Sequence, residues 1–262
     1  MMKRLARLAP ALVLALCQLT LMAQTQSKGS SWADEILQAE GYVTPPPELA
    51  EAVLAPRHLN VTLSNLSPDK KWFLNEVGDG PVPMKTFSKP FHELGGVFID
   101  FKANRSRTLT IRNNVGIELI SAENGSKKPI QLPAGARVSN ATWSPDGSTI
   151  AFFVHGEDAT HIWVADPVSG KARQLTKTPV LATFVTSFEF TDGGKQIAAV
   201  VPPDNRSPMP PDPTSPEGPT VKITSPGKSR LRTFPSLMST PYEKELLKWH
   251  ATGQLALIDV QK

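Results

Sequence analysis

Cysteine is nearly absent from this chain: one residue, Cys17, in 262. It falls inside an apolar stretch, Ala11–Met22, that follows Lys3, Arg4 and Arg7 and precedes Leu21-Met22-Ala23. That order is the pattern of an export leader cut after Ala23, which predicts a periplasmic or secreted protein. The apolar run is about a dozen residues, too short to cross a bilayer comfortably, so no stable membrane anchor is expected. Leu16 stands where a lipoprotein signal needs a small residue before its cysteine. Once the leader is removed no thiol remains, which excludes disulfides, thiolate catalysis and cysteine metal sites. Charge of one sign is also lacking. Three of the formal +4 charges are on Lys3, Arg4 and Arg7, leaving +1 after Ala23, so no nucleic-acid partner is expected.

Catalytic signatures are missing too. No G-x-S-x-G elbow occurs, so nothing marks an α/β-hydrolase serine. His58, His92, His155, His161 and His250 form no H-E-x-x-H and no i, i+4 pair, and are expected to be surface or loop residues. Gly170-Lys171 lacks the upstream glycine of a phosphate loop. Asp146, Asp166 and Asp192 suit turns and strand ends better than acid–base work. Lys228–Arg232 reads as a solvated basic loop, and the sequons at Asn60, Asn65, Asn104, Asn124 and Asn140 imply nothing without a known host. The expected site list is therefore empty: no catalytic, cofactor-binding or metal residue, and no cofactor.

What the chain does contain is a cassette. Ser139–Val154, SNATWSPDGSTIAFFV, and Thr160–Thr176, THIWVADPVSGKARQLT, read as two consecutive hairpins. Pro145 sets φ for the first turn, Asp146 bonds its own backbone, and Gly147 accepts positive φ. Four short strands in about forty residues is the size of one propeller blade. Phe190-Thr191-Asp192-Gly193-Gly194 repeats the aromatic turn 47 residues after Trp143, and Gln196–Val201 repeats Thr149–Val154. Ile117 to Gly125 matches Ile162 to Gly170, 45 residues apart. Ser67-Pro68-Asp69-Lys70-Lys71 has the same turn chemistry without its glycine, with Trp72-Phe73-Leu74 behind it. Val97–Phe101, Thr108–Ile111 and Ile130–Leu132 are further strand candidates. The count is one degenerate unit, two recognisable units and one that stops after its third strand.

The predicted fold is all-β: a partial, unclosed β-propeller with short N-terminal helices and one inserted helix. The domains read as a signal peptide over 1–23, an N-terminal extension over 24–58 and an incomplete propeller over 59–262. Within the extension, helices are expected over Ser31–Ala39 and Glu48–Leu54, with Pro45-Pro46-Pro47 extended between them. Eleven of the 25 prolines fall between Pro202 and Pro241, which rules out a sheet there. Thr240 and Glu243 then form a capping box with Pro241 first in the helix, and Tyr242, Leu246, Leu247 and Trp249 supply its apolar stripe. Gln254–Asp259 resembles His161–Asp166. The 202–249 stretch is thus expected to be an insertion between the second and third strands of one blade.

Several stretches, in order, are more specific than the repeat. Tyr42–Pro56 and Leu94–Leu109 precede the cassette; Val201–Asp204, Glu217-Gly218-Pro219, Leu231–Phe234 and Leu255–Leu257 follow it. Together, over roughly 40–260, they resemble the N-terminal portion of glutamyl endopeptidases of the prolyl oligopeptidase group. The S-P-D-G cassette alone also occurs in TolB-like periplasmic propellers, whose blades are of the same TolB/PD type. The resemblance implies a serine peptidase that cleaves peptide substrates after glutamate. Its propeller would restrict entry to a C-terminal α/β-hydrolase domain carrying a Ser-Asp-His triad. That domain has no counterpart in these residues, so no hydrolysis is expected of the chain as it stands. A stand-alone periplasmic binding or scaffold propeller is the alternative expectation. With its ring unclosed, the isolated chain is expected to be marginal or aggregation-prone.

Overall fold

The computed structural model describes Gly41, residues 45–55, 61–213, 226–227, Met238 and 240–261. The leader, the helix expected over 31–39, His58 and the basic run 228–232 lie outside these residues. The chain divides into two units, Met1–Ala55 and Pro56–Lys262. In the first, α1 spans Pro47–Leu54. Pro46 holds the N-cap at φ −49°, ψ 145°, and Pro47 opens the helix rather than extending the proline run before it. A first helical residue needs no N–H partner, so proline is tolerated there.

The second unit is built from small antiparallel sheets. The first joins β1 (Trp72–Val77), β5 (Gly116–Ser121) and β6 (Lys127–Pro129). The second joins β7 (Val138–Trp143), β8 (Ile150–His155), β9 (Thr160–Ala165) and β10 (Ala172–Gln174) in sequence order. The third joins β11 (Glu189–Thr191), β12 (Gln196–Val201) and β13 (Gln254–Asp259). These are three blades of an all-β propeller, set side by side in an open arc. Alternation of side chains across each strand gives every blade two faces. Leu74, Ile117 and Leu119 of blade one meet Trp143, Ile150 and Phe152 of blade two. The opposite face of blade two, Ala151, Phe153, Ile162 and Val164, meets Phe188, Ile197 and Ala199 of blade three. Each such fully buried branched or aromatic side chain contributes about 1.5–3 kcal/mol.

The strand pairing corrects the count of repeats. Trp72 pairs with Ser121 and Val77 with Gly116, so the degenerate unit and the Ile117 unit are halves of one blade. Leu66 bridges Phe73 as a vestigial first segment of this blade, and residues 78–115 form an excursion between its second and third, β1 and β5. They contain α2 (Met84–Phe87), a separate sheet of β2 (His92–Leu94), β3 (Val97–Asp100) and β4 (Arg105–Ser106), and α3 (Arg107–Ile111). The 97–101 candidate is therefore a strand of this excursion, not of a blade, and the strand expected over Thr108–Ile111 is helical. Ser106 accepts a hydrogen bond from the Thr108 N–H at the start of α3, and that cap overrides the β-branched content. The last strand of blade one lies at Lys127–Pro129 rather than Ile130–Leu132. In blade three, Gln196 pairs with Asp259 and Val201 with Gln254, so residues 202–253 interrupt that blade at the equivalent seam. The inserted helix α4 (Pro241–Ala251) begins with the anticipated capping box between Thr240 and Glu243.

Neighbouring blades also touch through their turns. Ser67 and Ser144 each donate a hydroxyl hydrogen bond to the aspartate two residues on, at 2.7 and 2.6 Å. A methyl group at Gly147 would lie 3.3 Å from Pro68 Cδ, and one at Gly194 would lie 3.2 Å from Pro145 Cδ. The proline of each turn thus packs against the glycine of the next, along one edge of the arc.

Candidate functional site

The excursions from blades one and three leave at equivalent seams, and they meet. Between them blade two has only residues 156–159 joining β8 to β9. Leu94 and Ile99 from the first excursion pack with Leu246 of α4, flanked by Val97, Tyr242 and Leu247. This burial accounts for most of the apolar stripe on α4 (Leu246, Tyr242 and Leu247). Trp249, its fourth member, instead lies under the Arg206 guanidinium, 3.5 Å from the ring centroid. Arg206 also donates to Asn104 Oδ1 at 2.9 Å and to the Trp249 carbonyl at 3.0 Å, tying the two excursions together. The Ser106 N–H donates to the Ala182 carbonyl and the Ala182 N–H to the Asn104 carbonyl. The result is a small lobe spanning from blade one to blade three.

Arg105 anchors this lobe on blade two. Its side chain is buried, pairs with Asp100 at 3.3 Å, and donates to the Gly156 carbonyl at 2.8 Å. Asp100 also accepts from the Thr110 hydroxyl at 2.6 Å. An unpaired buried charge would be far more costly than this saturated arrangement. Beside it opens a cavity of about 390 Å³, lined among others by Lys85, Lys89, Arg105, Arg137, His155 and Glu157. Lys89 meets Glu157 at 2.6 Å and Arg137 meets Asp79 at 2.7 Å. Three of its four cations are therefore already matched by carboxylates.

One constellation in that wall looks like a nucleophile pair. Ser139 Oγ and His155 Nε2 are 2.8 Å apart, and His155 Nδ1 lies 3.1 Å from Thr160 Oγ1. All three residues are buried. Burial first, and then the Arg105 charge, push the His155 pKa down to about 3. A base that weak is poorly matched to deprotonating serine near neutrality. The far nitrogen faces a hydroxyl rather than the carboxylate that a triad requires. The arrangement satisfies buried polar atoms.

The other predicted positions divide clearly. Asp146 accepts from Ser144 and Ser148, and Asp166 accepts from Ser169 and the Val168 N–H. These hydrogen bonds hold both carboxyls below their usual range, as expected of turn residues. His161 Nδ1, on the interior strand β9, lies 2.9 Å from the Thr176 carbonyl. His155 and His250 are buried, contrary to the surface positions expected of them, because each is enclosed by residues remote in sequence. His92 and His250, 158 positions apart, come together with Nδ1 and Nε2 separated by 3.1 Å. No spacing motif could have paired them. Among the described residues no group of three or more His, Cys, Asp or Glu side chains is placed to hold a metal ion. No described helix is long and apolar enough to cross a membrane.

No family model matches the chain. Over 229 residues, 83% of its length, it is 32% identical to the protein named "Probable glutamyl endopeptidase, chloroplastic" of Oryza sativa subsp. japonica, covering 24% of that protein. Over that span the chain is similar to the glutamyl endopeptidases. A protein of the same name from Arabidopsis thaliana is 28% identical over 235 residues, 86% of this chain and 24% of the relative. The chain thus spans about a quarter of the length of the glutamyl endopeptidases it matches. Among solved structures, Pyrococcus horikoshii acylaminoacyl peptidase aligns at 18% identity and a TM-score of 0.32, covering 56% of this chain and 18% of that one. The propeller assignment rests on the strand pairing of the three blades.

Proposed function

We propose that these residues form the first blades of the non-catalytic propeller of an exported serine peptidase that cleaves after glutamate. The observation that supports this most strongly is the sequence match to glutamyl endopeptidases across four-fifths of the chain, falling on blades and excursions alike. In this reading the chain contributes no catalytic residue. Ser139 and His155 are structural, and the chemistry belongs to an α/β-hydrolase domain outside these residues. In this reading the lobe formed by the described residues of 78–115 and 202–253 restricts which peptides pass. Restriction of this kind is selection by access, and it needs no charged group in the lobe to touch the scissile bond.

The test uses the protein in its native source. An antibody raised against blade two should detect a polypeptide larger than 28.4 kDa in the exported fraction. The immunopurified species should react with a fluorophosphonate probe and cleave a Glu-containing peptide on the carboxyl side of glutamate. A probe-silent species that cleaves nothing would overturn the peptidase reading. Retention in the cytoplasm would overturn export alone.

A further inference from the structure

We propose that the His92–His250 contact is an acid-sensitive latch, holding the two excursions together when both rings are neutral and releasing them on protonation. His92 belongs to β2 in the excursion from blade one, and His250 to the last turn of α4 in the excursion from blade three. Their 3.1 Å Nδ1–Nε2 hydrogen bond needs one nitrogen as donor and the other as acceptor. Adding a proton to the acceptor sets two N–H groups face to face and abolishes the bond. The rings are also confined. His92 stacks on Phe101 at 4.3 Å between centroids, and His250 meets Trp249 edge-on at 4.9 Å. His250 is fully buried, and its Nδ1 is buried with no hydrogen-bond partner among the described residues. The Thr183 hydroxyl donates to the His250 carbonyl, fixing the backbone beneath. A second proton placed on this ring would be a buried charge with nothing to accept from it.

The surrounding charges reinforce this. The ionisable groups facing the pair come from the segment after β12, Arg206 and Asp212, and from α4, Tyr242. The packed segment around Thr183 faces it with a hydroxyl. Burial, then His92 and then Arg206 push the His250 pKa down to about 4. His92 is lowered by burial, partly opposed by Asp212. Asp212 is engaged by the Tyr242 hydroxyl, whose own pKa is pushed up to about 12, so that it stays a neutral donor throughout. One carboxylate, Asp212, can offset at most one of two protonated rings. The sign follows from linkage. A histidine ordinarily titrates near 6.5, so between that value and about 4 the undocked lobe binds a proton that the docked lobe does not. Docking is complete above the ordinary value and is lost as pH falls. One linked proton changes the docking equilibrium by at most about tenfold per pH unit.

Hydrogen exchange of the full chain, corrected for intrinsic exchange, reads this directly. Amides of α4 and of β2–β3 should lose protection in parallel below pH 6.5, by up to about tenfold per unit. Those of β8 and β9 should stay protected. The variant His250→Gln keeps a polar partner for His92 without that titration, and should show lobe protection that no longer varies with pH. If H250Q is already undocked at pH 7, His250→Asn, which also removes that titration, is read in its place. Lobe protection in the wild type that does not vary from pH 7 to 4.5 would overturn the proposal. So would loss of protection in only one of the two segments, or a variant that keeps the full pH dependence. None of these outcomes depends on whether the chain is part of a peptidase.

Discussion

Lys70 occupies the position that Gly147 fills in the next blade, and it adopts the same backbone conformation, φ 61° against 72°. Its N–H closes the turn onto the Ser67 carbonyl at 2.8 Å, as the Gly147 N–H does onto Ser144. A side chain in this left-handed region costs roughly 1–2 kcal/mol, partly offset because lysine loses less backbone entropy than glycine on folding. Lys70→Gly should therefore stabilise the protein by about 0.5–1 kcal/mol and raise Tm by a few degrees. Calorimetry showing an unchanged or lower Tm would refute this. The same comparison shows what one residue can reveal in sequence. Ser67, Pro68 and Asp69 announced the turn because their side chains make it. Nothing about Lys70 announced positive φ, because neighbours rather than lysine impose it.

Among elements, β7 is the most dependent on its neighbour. Its register against β8 slips between Ser139 and Thr142, a bulge with Asn140 at φ 56°. A bulge leaves backbone groups outside the ladder. Here blade one supplies the partners. The Ala141 N–H donates to Glu76 Oε1 at 2.7 Å, its carbonyl accepts from Asn65 Nδ2 at 2.8 Å, and the Trp143 indole donates to the Asn65 carbonyl at 3.1 Å. Glu76→Ala should cost about 1–3 kcal/mol, since it leaves a part-buried donor unpaired. Chemical denaturation measures this, and a loss below about 0.5 kcal/mol would show that water takes over the contact. In the sequence, the blade strands were legible wherever alternation and a turn coincided, as at Ile150–Val154 and Gln196–Val201. Residues 78–115 were misread because their short strands show the same β-branched content as blade strands. Composition cannot say which sheet a strand joins. The candidate site was not legible at all: Arg105, His92 and His250 acquire their roles through partners 51 to 158 positions away.

At the scale of the molecule, the internal repeat identifies an uncovered surface. Leu255 and Leu257 of β13 correspond to Ile162 and Val164 of β9. The β9 pair is 0% and 4% exposed against blade three, whereas Leu255 and Leu257 are 73% and 61% exposed. Their register partners Val200 and Ala198 share that face. Solvent contact with such a patch favours self-association. The double variant Leu255→Lys/Leu257→Lys should lower the aggregated fraction in light scattering while leaving Tm within about 2 °C, because these side chains bury little in the chain itself. Equal aggregation by variant and parent would place the sticky surface elsewhere.

The meeting of the two excursions also bears on how the chain reaches its native state. In a simple array, each repeat leans only on the one before it, and folding can begin anywhere and spread. Here blade one is tied to blade three across blade two by contacts such as Asn104 with Arg206, 102 positions apart. Such pairings raise contact order and slow folding, since a long loop must close before they form. The middle blade can assemble early from neighbouring hairpins. The lobe can form only after both outer blades have emerged and turned towards each other, which makes it the last part to fold and the first to open.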